Sequence, residues 1–242
     1  MNYYNYFTEI EEHFVRRRGK HMYVSPMDWS LIATWRESGV PLHVALRGID
    51  IAMDTWHAKP HRGTDRLSTL FYCHDSVMAE FQRHLEAHLG EQSAESQQSP
   101  GEVSAKPAEK LRAELDKSEV GEFLGTRIRE IKALEEKHPQ DEDLARIVNR
   151  LKEISQSLAS DEHPDPESLE RDLGILDELL VNCLKDKVRA EESESWETEA
   201  KTELKVYKKR LPKETYGKIL DNFLRGKIHR KFGVGDLSLF QL

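Results

Sequence analysis

Apolar residues at helical spacing constrain this chain more than any other feature, and the densest block runs from Ser25 to Leu85 with three of the four tryptophans. Ser25-Pro26-Met27-Asp28 is a helix start: a serine N-cap, a proline in the first turn, and an acid placed to meet orphan amides. Leu31, Ile32 and Trp35 share the face that follows, and Gly39 supplies a stop. A second helix begins at Pro41 and carries Leu42, Ala45, Leu46, Ile49, Met53 and Trp56. A third is expected from Thr64-Asp65, with Leu67, Leu70, Phe71, Met78, Phe81 and Leu85. An earlier helix over 5–18 puts Phe7, Ile10 and Phe14 on one face and closes on Arg16-Arg17-Arg18, cations suited to a helix C-terminus. His21-Met22-Tyr23-Val24 reads as an extended link. The fold class is all-α, with a compact helical domain over 1–90.

Residues 90–106 are rich in Ser, Gln and Glu and hold Val103 as the one aliphatic side chain larger than alanine. Such a segment cannot bury enough surface to offset its ordering entropy, so 91–106 is expected to be a flexible linker. A C-terminal elongated helical bundle follows over 107–242. Leu111, Leu115, Phe123, Leu124, Ile128, Ile131 and Leu134 trace one helix to His138-Pro139. Leu144, Ile147, Val148, Leu151, Ile154 and Leu158 trace the next. Asp165 caps a third at Pro166. Its stripe, Leu169, Leu173, Leu176, Leu180, Leu184 and Val188, resumes at Trp196, Ala200, Leu204 and Tyr207. Unbroken to Pro212, that helix would span on the order of 65 Å, and 191–195 is the expected break. A last helix covers 213–231, with Tyr216, Ile219, Leu220, Phe223 and Leu224 on one side.

Charge is segregated: residues 1–90 carry a net −1, 91–200 a net −14 and 201–242 a net +7. An acidic middle does not attract nucleic acid, whereas a basic end can do so locally or can neutralise the middle. No apolar run approaches the roughly 20 residues of a membrane helix. The N-terminus has no basic flank or small-residue cleavage site of a signal peptide. A cytoplasmic protein is expected. Cys73 and Cys183 both sit beside apolar helix positions, which suits buried thiols rather than a disulfide.

Chemistry-bearing patterns are sparse. Eight of the 11 histidines precede the linker; His57-x3-His61 falls in a loop, and His84-x3-His88 shares a helix face without the further ligands zinc needs. His74 shares the face of Leu70, Phe71 and Met78, as a core histidine would. Nucleophile elbows, Walker A and dinucleotide glycine patterns do not occur. Asp50 and Asp54 share a face, as expected in so charged a chain. A non-enzymatic protein without metal or cofactor is the expectation.

Two basic patches remain as candidate nucleic-acid contacts: Arg16, Arg17, Arg18 and Lys20, then Lys208, Lys209, Arg210, Lys227, Arg230 and Lys231. Tyr207, Tyr216 and Phe223 lie among the second set, where stacking on bases would need them, but they coincide with the apolar helix face. The tail carries Leu237, Leu239, Phe240 and Leu242, too apolar for a free end. These four are candidate partner-binding residues, or they dock on their own bundle after a turn at Gly233 and Gly235.

The order from Ser25-Pro26-Met27-Asp28 through Trp35 and Gly39, then Pro41 to Ala52, a basic loop and Leu67 to Val77, resembles DnaD-like replication-initiation domains of bacteria and phages. The resemblance covers 25–77, about a fifth of the chain. It implies a DNA-associated, often self-associating adaptor. That family's last helix carries a Tyr-x-x-x-Ile-x-x-Trp pattern, where this chain has Tyr72-Cys73-His74-Asp75-Ser76-Val77 and no matching Trp. No family binding residue therefore transfers. The function expected is a DNA-associated adaptor, or alternatively a protein-interaction scaffold using the acidic bundle and the tail.

Overall fold

The computed structural model describes residues 6–19, 24–59, 67, 69–95, 116–160 and 164–241, with side chains for all of these except 88–95 and 241. Every regular element among them is helical, so the chain is all-α. Two compact units divide the chain, one within Tyr6–Ala113 and the other within Glu114–Leu242.

The N-terminal unit packs α1 (Tyr6–Arg18), α2 (Pro26–Glu37), α3 (Leu42–Ala58) and α4 (His74–Glu95), the last preceded by a 3-10 turn at Leu70–Cys73. Ser25 and Asp28 form a capping box at the start of α2, and Gly39 after its end takes a left-handed φ of 78°. Phe7, Ile10, Phe14, Leu31, Ile32, Trp35, Ile49 and Met53 make the core. The third expected helix starts later than Thr64-Asp65, which lie outside the described residues. Leu67 is buried ahead of it, and Asp28 sets its start by accepting the Thr69 hydroxyl and the Leu70 amide, the latter at 2.9 Å. Leu85, expected on the core face, is 40% exposed. Helices α3 and α4 approach so closely that a Cβ on Gly48 would stand 2.5 Å from the Val77 Cα.

Of the expected linker, 91–95 continue α4 as helix, because Glu91, Gln92, Ala94 and Glu95 are adequate helix formers. Residues 96–106, and Leu111 and Leu115 beyond them, lie outside the described residues.

The C-terminal unit is a helical bundle of α5 (Lys117–Lys137), α6 (Glu142–Ser160), α7 (Pro166–Lys185), α8 (Ala190–Leu204) and α9 (Lys213–Phe232). Asp116 and Asp165 cap α5 and α7. All six apolar positions predicted for α6 are buried. The break after α7 falls at 186–189, not at 191–195. Lys187 pairs with Asp141 of the α5–α6 turn and Val188 packs on the core, which turns the chain. Glu191 and Glu192 then serve as the acidic first turn of α8, favoured by the helix dipole. An acid run read as a breaker is a helix start.

Candidate functional site

The tail returns over its own bundle. Gly233 ends α9 in the left-handed region, at φ 66°. Gly235 passes under the Arg127 guanidinium, where a Cβ would meet Arg127 Cζ at 2.2 Å. Three carboxylates then take tail amides: Glu130 from Gly235 at 3.0 Å, Asp177 from Leu237 at 3.1 Å and Glu170 from Leu239 at 2.7 Å. The Ser238 hydroxyl donates to Glu170 at 2.7 Å. Leu237 and Leu239 are fully buried and Phe240 is 9% exposed. Their assignment as partner-binding residues is corrected: they are core of their own unit, because burying them satisfies both the apolar side chains and the backbone amides. Leu242 lies outside the described residues.

Beneath this clasp lies a polar cluster that the periodicity does not announce. Asp177, 1% exposed, occupies a position on the apolar stripe of α7 between Leu173 and Leu180. Its Oδ2 accepts from Arg225 Nη1 at 3.0 Å, and its Oδ1 lies 3.2 Å from His229 Nε2. His229 is 6% exposed. Its Nε2 stands off the axis a hydrogen bond to Asp177 needs, and its Nδ1 has no hydrogen-bond partner among the described residues. Asp236 of the tail completes the group: one ligand-capable atom from each of Asp177, His229 and Asp236 lies within 4.8 Å of the others. Burial alone would raise the Asp177 pKa, but His229, the Leu237 amide and Arg225 outweigh it and hold the carboxyl below its ordinary value. Burial would likewise lower the His229 pKa; its direct contact with Asp177, then the charges of Asp177 and Asp236, reverse that and favour the imidazolium. The sequence signal for this cluster was the acid inside a leucine stripe. His229 was hidden in a run of cations at the end of α9.

The candidate cations are dispersed in role. Arg16 is exposed, but Arg17 is bound to Asp54 and lies 3.0 Å from Asp50, whose Oδ1 also meets His13 at 2.8 Å. Asp50 and Asp54 thus bind α1 to α3. Arg18 stacks over Phe14 at 5.1 Å, and Lys20 lies outside the described residues. Lys227 pairs with Glu199 at 2.8 Å, and Lys231 pairs with Glu192 and lies 5.8 Å over Trp196. The basic α9 thereby neutralises part of the acidic α8. Arg230 is exposed. Lys205, Lys208, Lys209, Arg210 and Lys213, around the α8–α9 turn, are also exposed, with no ion pair among the described residues.

Each histidine pair has only one member among the described side chains. His57 is exposed, His61 and the His88 side chain lie outside what is described, and His84 meets the His43 ring edge-on at 5.3 Å. Cys73 and Cys183 are free thiols. No helix among the described residues is long and apolar enough to cross a membrane.

A family model described only as an uncharacterised protein matches residues 5–93, nearly coincident with the helices of the N-terminal unit. No curated protein and no solved structure matches the chain.

Proposed function

We propose that this protein is a non-catalytic DNA-associated adaptor that contacts phosphates through the α8–α9 turn. The observation that carries the reading is the contrast within the basic end. Lys227 and Lys231 are consumed by Glu199 and Glu192, whereas Lys205, Lys208, Lys209, Arg210 and Lys213 stand in solvent within nine residues. A cluster of that density attracts a polyanion locally despite the chain's net −8. The resemblance of 25–77 to DnaD-like replication domains supports the same reading, and Arg16 and Arg230 are further exposed contacts. The test is fluorescence anisotropy of a labelled duplex across a salt series. Wild type binds at low salt, and the triple variant Lys208→Glu, Lys209→Glu, Arg210→Glu loses affinity and flattens the log–log salt slope by about 0.9 for each phosphate contact removed. No binding by wild type to duplex or single strands at low salt removes the reading.

A protein-interaction scaffold is the second reading. It is favoured by Ile175 and Leu179, which are 55% and 43% exposed on one face of α7. Solvated aliphatic pairs of this kind suit a partner surface. Light scattering and partner capture that change in an Ile175→Glu, Leu179→Glu variant, with DNA binding absent, would select it.

A further inference from the structure

We propose that Asp177, His229 and Asp236 form a binding site for a divalent cation of the zinc class. The three residues come from α7, α9 and the returning tail, and one ligand atom of each lies within 4.8 Å of the other two. The independent sign of a missing ligand is His229. The ring is 6% exposed, yet neither nitrogen makes an aligned hydrogen bond. A buried imidazole with no aligned partner at either nitrogen is costly, and a cation that displaces a ring proton would supply one.

The spacing suits a metal. Zinc bonds to imidazole and carboxylate are about 2.0–2.2 Å, which sets neighbouring ligand atoms about 3.3 Å apart on a tetrahedron. His229 Nε2 and Asp177 Oδ1 are 3.2 Å apart, with the nitrogen directed off the oxygen rather than along the line between them. Two atoms that share a third centre stand in that relation. One imidazole and two carboxylates form a mixed nitrogen–oxygen set, which favours zinc over calcium and its six to eight oxygens. Arg225 on Asp177 Oδ2 and the Leu237 amide on Oδ1 supply outer contacts that orient the carboxylate. Three protein ligands leave a fourth position for water or for a group from outside. A cation here would staple the tail to the bundle, since Asp236 is the ligand that the tail delivers.

The test uses the full chain, stripped with a chelator and titrated with zinc chloride by calorimetry and thermal melting. Cobalt(II) provides a spectroscopic probe of the same site. Asp236→Asn is the main variant, because Asp236 is only half-buried and the helices do not depend on it; His229→Gln is the second, and circular dichroism confirms that both fold. Wild type takes up zinc, melts higher with it, and gives cobalt ligand-field bands. Asp236→Asn binds at least about tenfold more weakly and loses the bands and the melting shift. Exposed histidines bind zinc alike in all three proteins and cancel from the comparison. Equal uptake and equal shifts in all three overturn the site. So does an absence of zinc uptake by wild type, with both variants melting lower, because the cluster is then an ion network holding the tail.

Discussion

The Trp35 indole N–H donates to His74 Nδ1 across 3.0 Å, with the two ring planes 8° apart and both residues buried. That bond fixes the tautomer: His74 is neutral, accepts at Nδ1 and carries its proton on Nε2. Burial, opposed only in part by the nearby Asp75 charge, lowers its pKa from 6.5. The unfolded chain therefore takes up this proton before the native one does. Stability from His74 is complete above its unfolded pKa of about 6.5 and declines as pH falls below it. The urea midpoint of wild type relative to that of His74→Gln should drop between about pH 7.5 and about pH 5.5, a comparison that removes the opposite effect of His229, whose pKa is raised. A pH dependence unchanged by the substitution would refute the assignment.

Trp35→Phe keeps most of the ring volume and removes the donor, leaving Nδ1 buried and unpaired. The expected loss is about 1–3 kcal/mol in chemical denaturation, with the His74 ring signals shifting in NMR spectra. An unchanged midpoint would mean that water replaces the indole.

Asp28 carries more hydrogen bonds than any capping role needs. It accepts from the Ser25 amide at 3.3 Å and the Ser25 hydroxyl at 2.9 Å, as well as from Thr69 and the Leu70 amide. Asp28→Ala strips the caps of two helices at once and should destabilise by about 3 kcal/mol or more. Ser25→Ala removes one cap and should cost about 1 kcal/mol. Comparable losses for both substitutions would deny Asp28 its second role.

Gly48→Ala places a methyl against Val77 backbone rather than against a flexible side chain. Overpacking of this kind costs about 1–3 kcal/mol. The same change at Gly121, in open space on α5, should stabilise by up to about 1 kcal/mol, the helix-propensity gain. Thermal melts of the two variants give opposite signs if the α3–α4 approach is as close as described.

Thiol reactivity reports burial directly. Burial, then the Asp28 charge, pushes the Cys73 thiol up to about 12; burial, then its hydrogen bond to Asp141, pushes Cys183 up to about 11. Neither is thiolate at neutral pH, so iodoacetamide should label the native protein slowly and the urea-unfolded protein quickly. Rapid native labelling of Cys73 would contradict its buried place in the 3-10 turn.

Leu237→Ala should destabilise the C-terminal unit by about 2–5 kcal/mol, the range for a fully enclosed leucine. An exposed docking peptide would tolerate the change and lose only a partner.

The sequence alone determined the elements whose causes are local. Helical spacing, Ser25-Asp28, Asp165-Pro166 and Gly233 each act within a few residues, and their helices begin or end where those signals stand. The buried stripe of α6 is equally local, because a 3.6-residue period needs no partner to be recognised. Tertiary structure decided what depends on residues far apart in the chain. Asp28 delays α4 by taking the Leu70 amide 42 positions away, and Lys187 turns the chain by reaching Asp141 46 positions away. Arg17, Lys227 and Lys231 look like free cations in sequence and are paired in the fold. Asp177 and His229 acquire their character only when the tail brings Asp236 beside them. Periodicity records which face of a helix is apolar; it carries no record of which distant charge that face will meet.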